Sequence, residues 1–423
     1  MKRVLIITYY WPPSGKASLH WPVAITKHLP KFGWQPIIFT VKNEGFTQKD
    51  FSLVNIIDPN LKVIKTSVIE VFNFYKKFLG KSKSENLSVS EVMSLENAGI
   101  KQKISLWIRM NIFVPDARVT WYPFAIKYGK KLIKEYLNKN KLDAIISIGT
   151  PHSTHLIGSK LAKYFNTKHI PFFSDPWTTI SYYDKFKRNK IAEKLDKYLE
   201  RKILLNSYRT LFVTKSTAAE YETLYPFLRN KTDVLYWGYS EEDFKEFDSM
   251  IHINRDEKTI IHSGNLFDYQ NPTKFWQTVK KQIENGNKLK IKFTGTVGKS
   301  IVNSIKELGL EKYTEYLGFL SYKELLIQLK NADYFLACAY NKKHIPGKIF
   351  EYLRMGKPII AFCDDNEELK NILHASNAGL LFKYDETGEQ FFNQSGKFHT
   401  NLNFVKKFER ENITKQLVEI LNN

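Results

Sequence analysis

Thirteen short runs rich in β-branched and aromatic residues punctuate this chain, and most are separated by enough residues for a helix. In the first half they are Val4–Thr8, Pro36–Val41, Val63–Ser67, Ala144–Ile148, Pro171–Phe173, Thr210–Val213 and Val234–Trp237. In the second half they are Thr259–His262, Lys290–Thr294, Thr314–Leu317, Asp333–Ala339, Pro358–Phe362 and Leu380–Phe382. Strands that alternate with amphipathic helical stretches build βαβ units and parallel sheets. Two groups of strands in 423 residues, too many for one ordinary core, predict two doubly wound α/β domains. Apolar periodicity is lost near Tyr239–Asp256, which sets the expected domains at 1–240 and 241–423. Residues 84–118 are the least regular part of the first half and are expected to be an insertion. Ligands of such sheets bind in the loops at the carboxyl ends of the strands.

The charge balance narrows the partners without naming one. Lys and Arg number 64 against 43 Asp and Glu, a net charge of +21. Such a field attracts nucleic acid, anionic lipid or phosphorylated small molecules. No helix-turn-helix, RNP-type strand or basic arm is found, which argues against a nucleic-acid reader. The aromatic and basic stretch Val68–Lys83 reads as an interfacial amphipathic segment, with a helix packed on its own domain as the alternative. Cys338 and Cys363 both lie in apolar runs, so buried thiols in a reducing compartment are expected. The N-terminus enters a strand at once without a signal-peptide region, and no run reaches the roughly 18 apolar residues of a membrane span. A cytoplasmic location follows as an expectation, with peripheral attachment to the inner membrane face as its extension.

The segment Ile345–Ile360 carries the clearest chemistry. Pro346 and Gly347 close a loop and open a short helix, Gly356 sits where a helix end wants positive φ, and Pro358 blocks continuation. A helix start presents free N–H groups and partial positive charge to whatever lies before it. Lys348 adds a full charge at that spot, and Glu351, one turn on, suits a sugar diol. The combination predicts a phosphate site with a ribose ligand; a solvated Lys348–Glu351 pair is the alternative. Asp175 follows the run Ile170–Phe173 and should emerge at a strand's carboxyl end, either to orient or deprotonate a hydroxyl or to open a turn. His152 and His155 follow the Ala144–Ile148 strand and could meet a sugar, or pack at a helix start. No Asp-x-Asp, CxxC or HExxH occurs, so no metal site and no cofactor are expected.

The loop Tyr9-Tyr-Trp-Pro-Pro-Ser-Gly-Lys16 is neither a Walker loop nor GxGxxG, but its Gly15 allows close backbone approach. With Asp116-Ala-Arg-Val-Thr-Trp121, Asp175-Pro-Trp177 and the Lys348–Pro358 segment, it resembles glycosyltransferase family 4, in particular bacterial members that build surface polysaccharides. The resemblance runs from Lys2 to about Lys383 and implies the GT-B fold, two Rossmann-like domains facing across a cleft. It implies a nucleotide-diphosphate sugar donor held mainly by the second domain. Glu351 would hold the ribose, the Pro346–Lys348 helix start with Gly347 would face the diphosphate or sugar, Ser263 and Gly264 would approach the phosphates, Leu320 would lie along the base, and Gly15 would serve the reaction centre.

This chain departs from the family at three places. Lys343 stands where members often carry a second glutamate, and Trp237-Gly238 stands where many have Asn-Gly. Asn265, Gln270 and Asn271 occupy the neighbourhood of the usual basic diphosphate clamp, with Lys274 the nearest cation. The expected function is a retaining, metal-independent glycosyltransferase acting on a polysaccharide or lipid-linked saccharide precursor. Helix dipole and lysine would neutralise the leaving diphosphate, and an anionic inner-leaflet surface is an expected partner. Two alternatives are a nucleotide-sugar epimerase of the same fold and a non-enzymatic anion or surface binder with a degenerate cleft.

Overall fold

The computed structural model describes all residues except 43–48, 50, 52–53, 55, 70–99, 181–187 and 249–255. The chain divides into two compact units, Met1–Leu235 with Thr414–Asn423, and Tyr236–Ile413.

The first unit is built on seven strands, β1 (Lys2–Ile7), β2 (Trp34–Val41), β3 (Lys62–Thr66), β4 (Ala144–Gly149), β5 (Lys168–Phe173), β6 (Thr210–Phe212) and β7 (Thr232–Val234). They pair in the order β3-β2-β1-β4-β5-β6-β7, every pairing parallel. All six residues of β4 are buried, as expected for a strand covered on both faces. The chain reverses its winding between β1 and β4, the switch point at which such sheets bind ligands.

The second unit holds β8 (Lys258–His262), β9 (Leu289–Thr294), β10 (Thr314–Gly318), β11 (Tyr334–Cys338), β12 (Ile359–Phe362) and β13 (Gly379–Phe382). These pair in parallel in the order β10-β9-β8-β11-β12-β13, with the switch point between β8 and β11. Apolar side chains from both faces of the sheet enter two clusters, one around Phe335, Ile349, Phe350 and Tyr352, the other around Phe275, Trp276, Phe293 and Phe362. Helix Lys348–Met355 ends at Gly356, whose φ of 73° closes the turn before β12 begins.

All thirteen expected strands are present, with two corrections of organisation. The seventh ends at Val234, and residues from Tyr236 onward fold with the second unit. There Tyr236 packs its ring on Phe350 and Phe408, and the Arg410 Nε donates to the Trp237 carbonyl at 3.3 Å. The last ten residues cluster with the first unit instead of the second, where Lys2 Nζ donates to Asn422 Oδ1 at 2.7 Å. An amphipathic C-terminal pattern states that one face is covered, but not by which sheet. Of the expected insertion 84–118, residues up to 99 lie outside the described residues, and Ile100–Asn111 is a helix. The segment Val68–Lys83 lies outside them from residue 70 onward.

Candidate active site

In the second unit the candidate donor residues gather where the fold predicts. The carboxyl end of β8 runs into Ser263 and Gly264, and the chain after β11 leads through Pro346 and Gly347 into helix Lys348–Met355. Gly264 has φ +82°, open to glycine, and donates its N–H to Thr294 Oγ1 at 3.2 Å. Tyr352 ties the helix to the turn. Its hydroxyl accepts from the Ser263 N–H at 2.9 Å and donates to Ser263 Oγ at 2.9 Å.

Lys348 is held under that turn. Its Nζ lies 3.0 Å from His262 Nε2, and a Cβ placed on Gly264 would meet it at 3.4 Å. His262 Nδ1 is 3.0 Å from the Leu336 carbonyl, which can only accept, so Nδ1 carries the proton and Nε2 accepts from the lysine. Burial, then the neighbouring lysine charge, hold His262 neutral, well below the ordinary histidine range. Burial also lowers Lys348 to about 8. The helix start itself has no side-chain cap, and nothing lies within 4 Å of a Cβ built on Gly347, whose φ is an ordinary helical −55°.

Glu351 accepts a hydrogen bond from Tyr322 Oη at 3.0 Å, and burial raises its pKa. Lys348 is therefore engaged by His262, and the solvated Lys348–Glu351 pair is not the arrangement found. Leu320 is half-buried in the loop after β10.

The amides that replace the expected basic clamp are spent on structure. Gln270 is buried, donates to the Cys338 carbonyl at 2.8 Å and accepts from the Phe267 N–H at 3.1 Å. Asn271 accepts from Trp276 Nε1 at 2.8 Å, and Asn265 accepts from the Thr296 N–H at 3.1 Å. Lys274 is exposed on the helix beyond. The cation at this turn is Lys348, a residue 86 positions from its partner His262.

In the first unit Gly15 is half-buried in the loop after β1. Asp175 emerges exposed at the carboxyl end of β5, and Thr150 Oγ1 donates to its Oδ2 at 2.5 Å. His155 corrects the expectation that it contacts a substrate. It has no exposed surface, its Nδ1 lies 2.8 Å from Ser147 Oγ, and its ring stacks on Phe173 at 4.6 Å. Burial first, then His152 and His169, keep it uncharged. His155 sits in the third position of helix Ser153–Phe165, and that position turns toward the sheet, not toward the loops.

Three carboxylates that sequence reasoning left unassigned brace this end of the sheet. Asp116 is half-buried and accepts from the Ser153 N–H at 2.8 Å and from Ser153 Oγ at 3.0 Å, fixing the start of the helix behind Thr150. Asp196 accepts from Trp177 Nε1 at 2.6 Å and pairs with Arg188 at 2.7 Å. Glu200 accepts from Thr178 Oγ1, Tyr221 Oη and Tyr225 Oη, each at 2.7 Å. Asp196 and Glu200 thus clamp the residues that follow Asp175. Only the family resemblance of the Asp116–Trp121 and Asp175-Pro-Trp177 segments pointed to this corner. Among the described residues no group of three or more His, Cys, Asp or Glu is arranged to hold a metal ion.

Residues 243–399 match the family model of glycosyl transferases group 1. Sucrose-phosphate synthase from Thermosynechococcus elongatus superposes with a TM-score of 0.62 at 13% identity, covering 100% of this chain and 98% of that one. The lipopolysaccharide outer core galactosyltransferase WaaB, in its apo form, gives 0.59 at 13% identity over 100% and 99%. TarM of S. aureus, solved with Fondaparinux, alpha-GlcNAc-glycerol and UDP, gives 0.57 at 11% identity over 100% of both chains. No curated protein matches by sequence. At these identities the structural likeness shows the fold, the GT-B architecture of two Rossmann-like parallel-sheet domains, and the match to the group 1 transferase model falls within the second unit.

Proposed function

We propose that this protein transfers a sugar from a nucleotide-diphosphate sugar, with retained anomeric configuration and without a metal ion, to a saccharide or lipid-linked saccharide precursor. One observation carries the reading: Lys348 and Glu351 lie one turn apart on a helix at the β8/β11 switch point, behind the Ser263–Gly264 turn. The diphosphate would take the N–H groups at Gly347 and Lys348 together with the ammonium, and Glu351 would accept from the ribose hydroxyls, its carboxylate oriented by Tyr322. As the bond to the diphosphate breaks, the helix start and Lys348 stabilise the charge that develops on it.

Front-face attack fits this chain, because Lys343 stands where members often carry a second glutamate, and Asp175 is read as serving the acceptor hydroxyl instead of attacking the sugar. Asp175, held by Thr150, would orient or deprotonate the acceptor hydroxyl. WaaB and TarM, both of the same fold, act on or are solved with saccharide-bearing molecules by their names, which supports an acceptor of that class.

A thermal-shift panel of UDP-, GDP- and dTDP-sugars in the presence of EDTA tests the donor half. A ligand at roughly a hundred times its dissociation constant adds about 2.7 kcal/mol. One nucleotide should stabilise the protein strongly; no shift with any of them would remove the donor site.

A further inference from the structure

We infer that the outer face of helix Lys190–Asn206, together with the adjoining helix Ile100–Asn111, is a docking surface for an anionic lipid bilayer. In sequence the first of these helices looks only mildly basic, with Lys190, Lys194, Lys197, Arg201 and Lys202 against Glu193, Asp196 and Glu200. Folding sorts the charges. Asp196 and Glu200 are fully buried on the inner face, spent on Trp177, Arg188, Thr178 and the two tyrosines. All five cations stay exposed, with Glu193 the remaining exposed carboxylate of the helix.

The same outer face leaves apolar side chains in water. Ile191 is 81% exposed, Tyr198 58%, and Leu195 and Leu205 are nearly half exposed. Steps of four, three and seven residues align them in one stripe. Lys202 falls within the stripe, its Nζ 5.6 Å from the Tyr198 ring centre, so its stem covers apolar surface while its charge stays outside. The second helix continues the pattern. The Asn189 N–H donates to Asn111 Oδ1 at 2.6 Å and Arg188 Nε to the Met110 carbonyl at 3.1 Å, tying its end to the start of the first. Its own sequence holds no acidic residue, and Ile104, Trp107 and, just beyond it, Ile112 are exposed, Trp107 by 53%.

The chemistry selects the occupant. A second copy of this chain would set five cations against five, a costly juxtaposition. A nucleic acid would satisfy the cations but leave Ile191, Leu195 and Trp107 wet. An anionic bilayer takes both, since aliphatic and aromatic side chains enter the headgroup boundary while lysines reach the lipid phosphates. Because the inner face of the same helix clamps Trp177 and Thr178, docking would hold Asp175 close to the membrane surface, where a lipid-linked acceptor resides. That last step rests on the proposed transferase reading; the docking does not.

Sedimentation of the full chain with phosphatidylglycerol-containing vesicles, against phosphatidylcholine vesicles alone, tests the surface directly. The wild type should sediment with the anionic vesicles at low salt and be released at high salt. Each basic residue lost from the surface should cost roughly fivefold in partitioning. The triple variant Lys194→Glu, Lys197→Glu, Arg201→Glu should therefore lose about a hundredfold or more, and Ile191→Ser with Leu195→Ser should also weaken binding. A single Ile191→Cys substitution gives a reading that does not depend on the multiple variants, because Cys338 and Cys363 are buried and leave the new thiol to be labelled alone. An environment-sensitive dye there should shift to the blue on anionic vesicles. Wild type that stays in the supernatant, variants that sediment as well as wild type, or a dye that does not shift would each overturn the assignment. All three readings are made without a sugar donor, so loss of transferase activity would leave the result standing.

Discussion

Lys348 Nζ lies 3.0 Å from His262 Nε2, and the imidazole is fixed as an acceptor because its other nitrogen faces the Leu336 carbonyl. A neutral partner holds the ammonium in place without cancelling its charge, which leaves that charge available to a diphosphate. The first prediction follows from its titration. Burial holds Lys348 at about 8 in the folded protein, against an ordinary value near 10.4 in an unfolded chain. Below pH 8 the folded site is cationic, and as pH rises through 8 the charge is lost, so nucleoside diphosphate affinity should fall by up to about tenfold per pH unit. Calorimetric titrations with UDP or GDP across pH 6.5 to about 9.5 should show this limb in wild type. A weaker but flat profile is expected for Lys348→Met; parallel profiles for the two proteins would place the charge elsewhere.

Gly347 gives a sharper test of where a ligand approaches. Its backbone is helical and the space where a Cβ would point is empty of protein, so Gly347→Ala should melt at or slightly above the wild-type temperature. If a diphosphate packs against that backbone, the added methyl group collides with it and affinity should drop at least about tenfold. Unchanged affinity would move the diphosphate away from this helix start.

Asp175 and Thr150 are predicted to act on the acceptor and not on the donor. Asp175→Asn keeps the size and the hydrogen bond with Thr150 but removes the negative charge. Turnover should fall by about a hundredfold or more, in line with the loss of a general base, while the donor dissociation constant stays within about twofold. A matched loss of donor affinity would show that Asp175 belongs to the donor site or to folding.

The buried pair behind that loop should be costly to break. Asp196→Ala removes the carboxylate that takes Arg188 Nη1 and the Trp177 indole N–H, in a place almost closed to water. Loss of one partner of a buried ion pair costs about 3–5 kcal/mol. Urea unfolding should show a destabilisation in that range; a change under about 1 kcal/mol would mean that water or another group replaces the carboxylate.

The parts of this architecture that were legible in sequence are those set by local pattern. Runs such as Ala144–Ile148 are buried on both faces and read as strands by composition alone, and Gly356 with Pro358 marks the end of the donor helix. What escaped depends on long-range choices. The Lys348–His262 contact spans 86 positions and has no spacing signature. Gln270 occupies the neighbourhood of the usual diphosphate clamp, yet the Cys338 carbonyl takes its amide. His155 was placed correctly at a helix start, but which way that helix turns is decided by packing on Phe173 and Ser147. Likewise, only the fold reveals that Asp196 and Glu200 point inward and leave a cationic, apolar outer face on their helix.

The central claim is transfer itself, and the most direct measurement follows a radiolabelled donor to its product. The nucleotide sugar that gives the largest thermal shift is incubated with wild type and Glu351→Gln, in EDTA, with a saccharide or lipid-linked saccharide acceptor. Release of nucleoside diphosphate should be matched by label in a new glycoside of unchanged anomeric configuration. The same product should form far more slowly with Glu351→Gln, because hydrogen bonds to a charged group, worth about 1.5–3 kcal/mol, are weakened. Bound nucleotide with no release, or an epimerised sugar with no glycoside formed, would contradict the transferase reading.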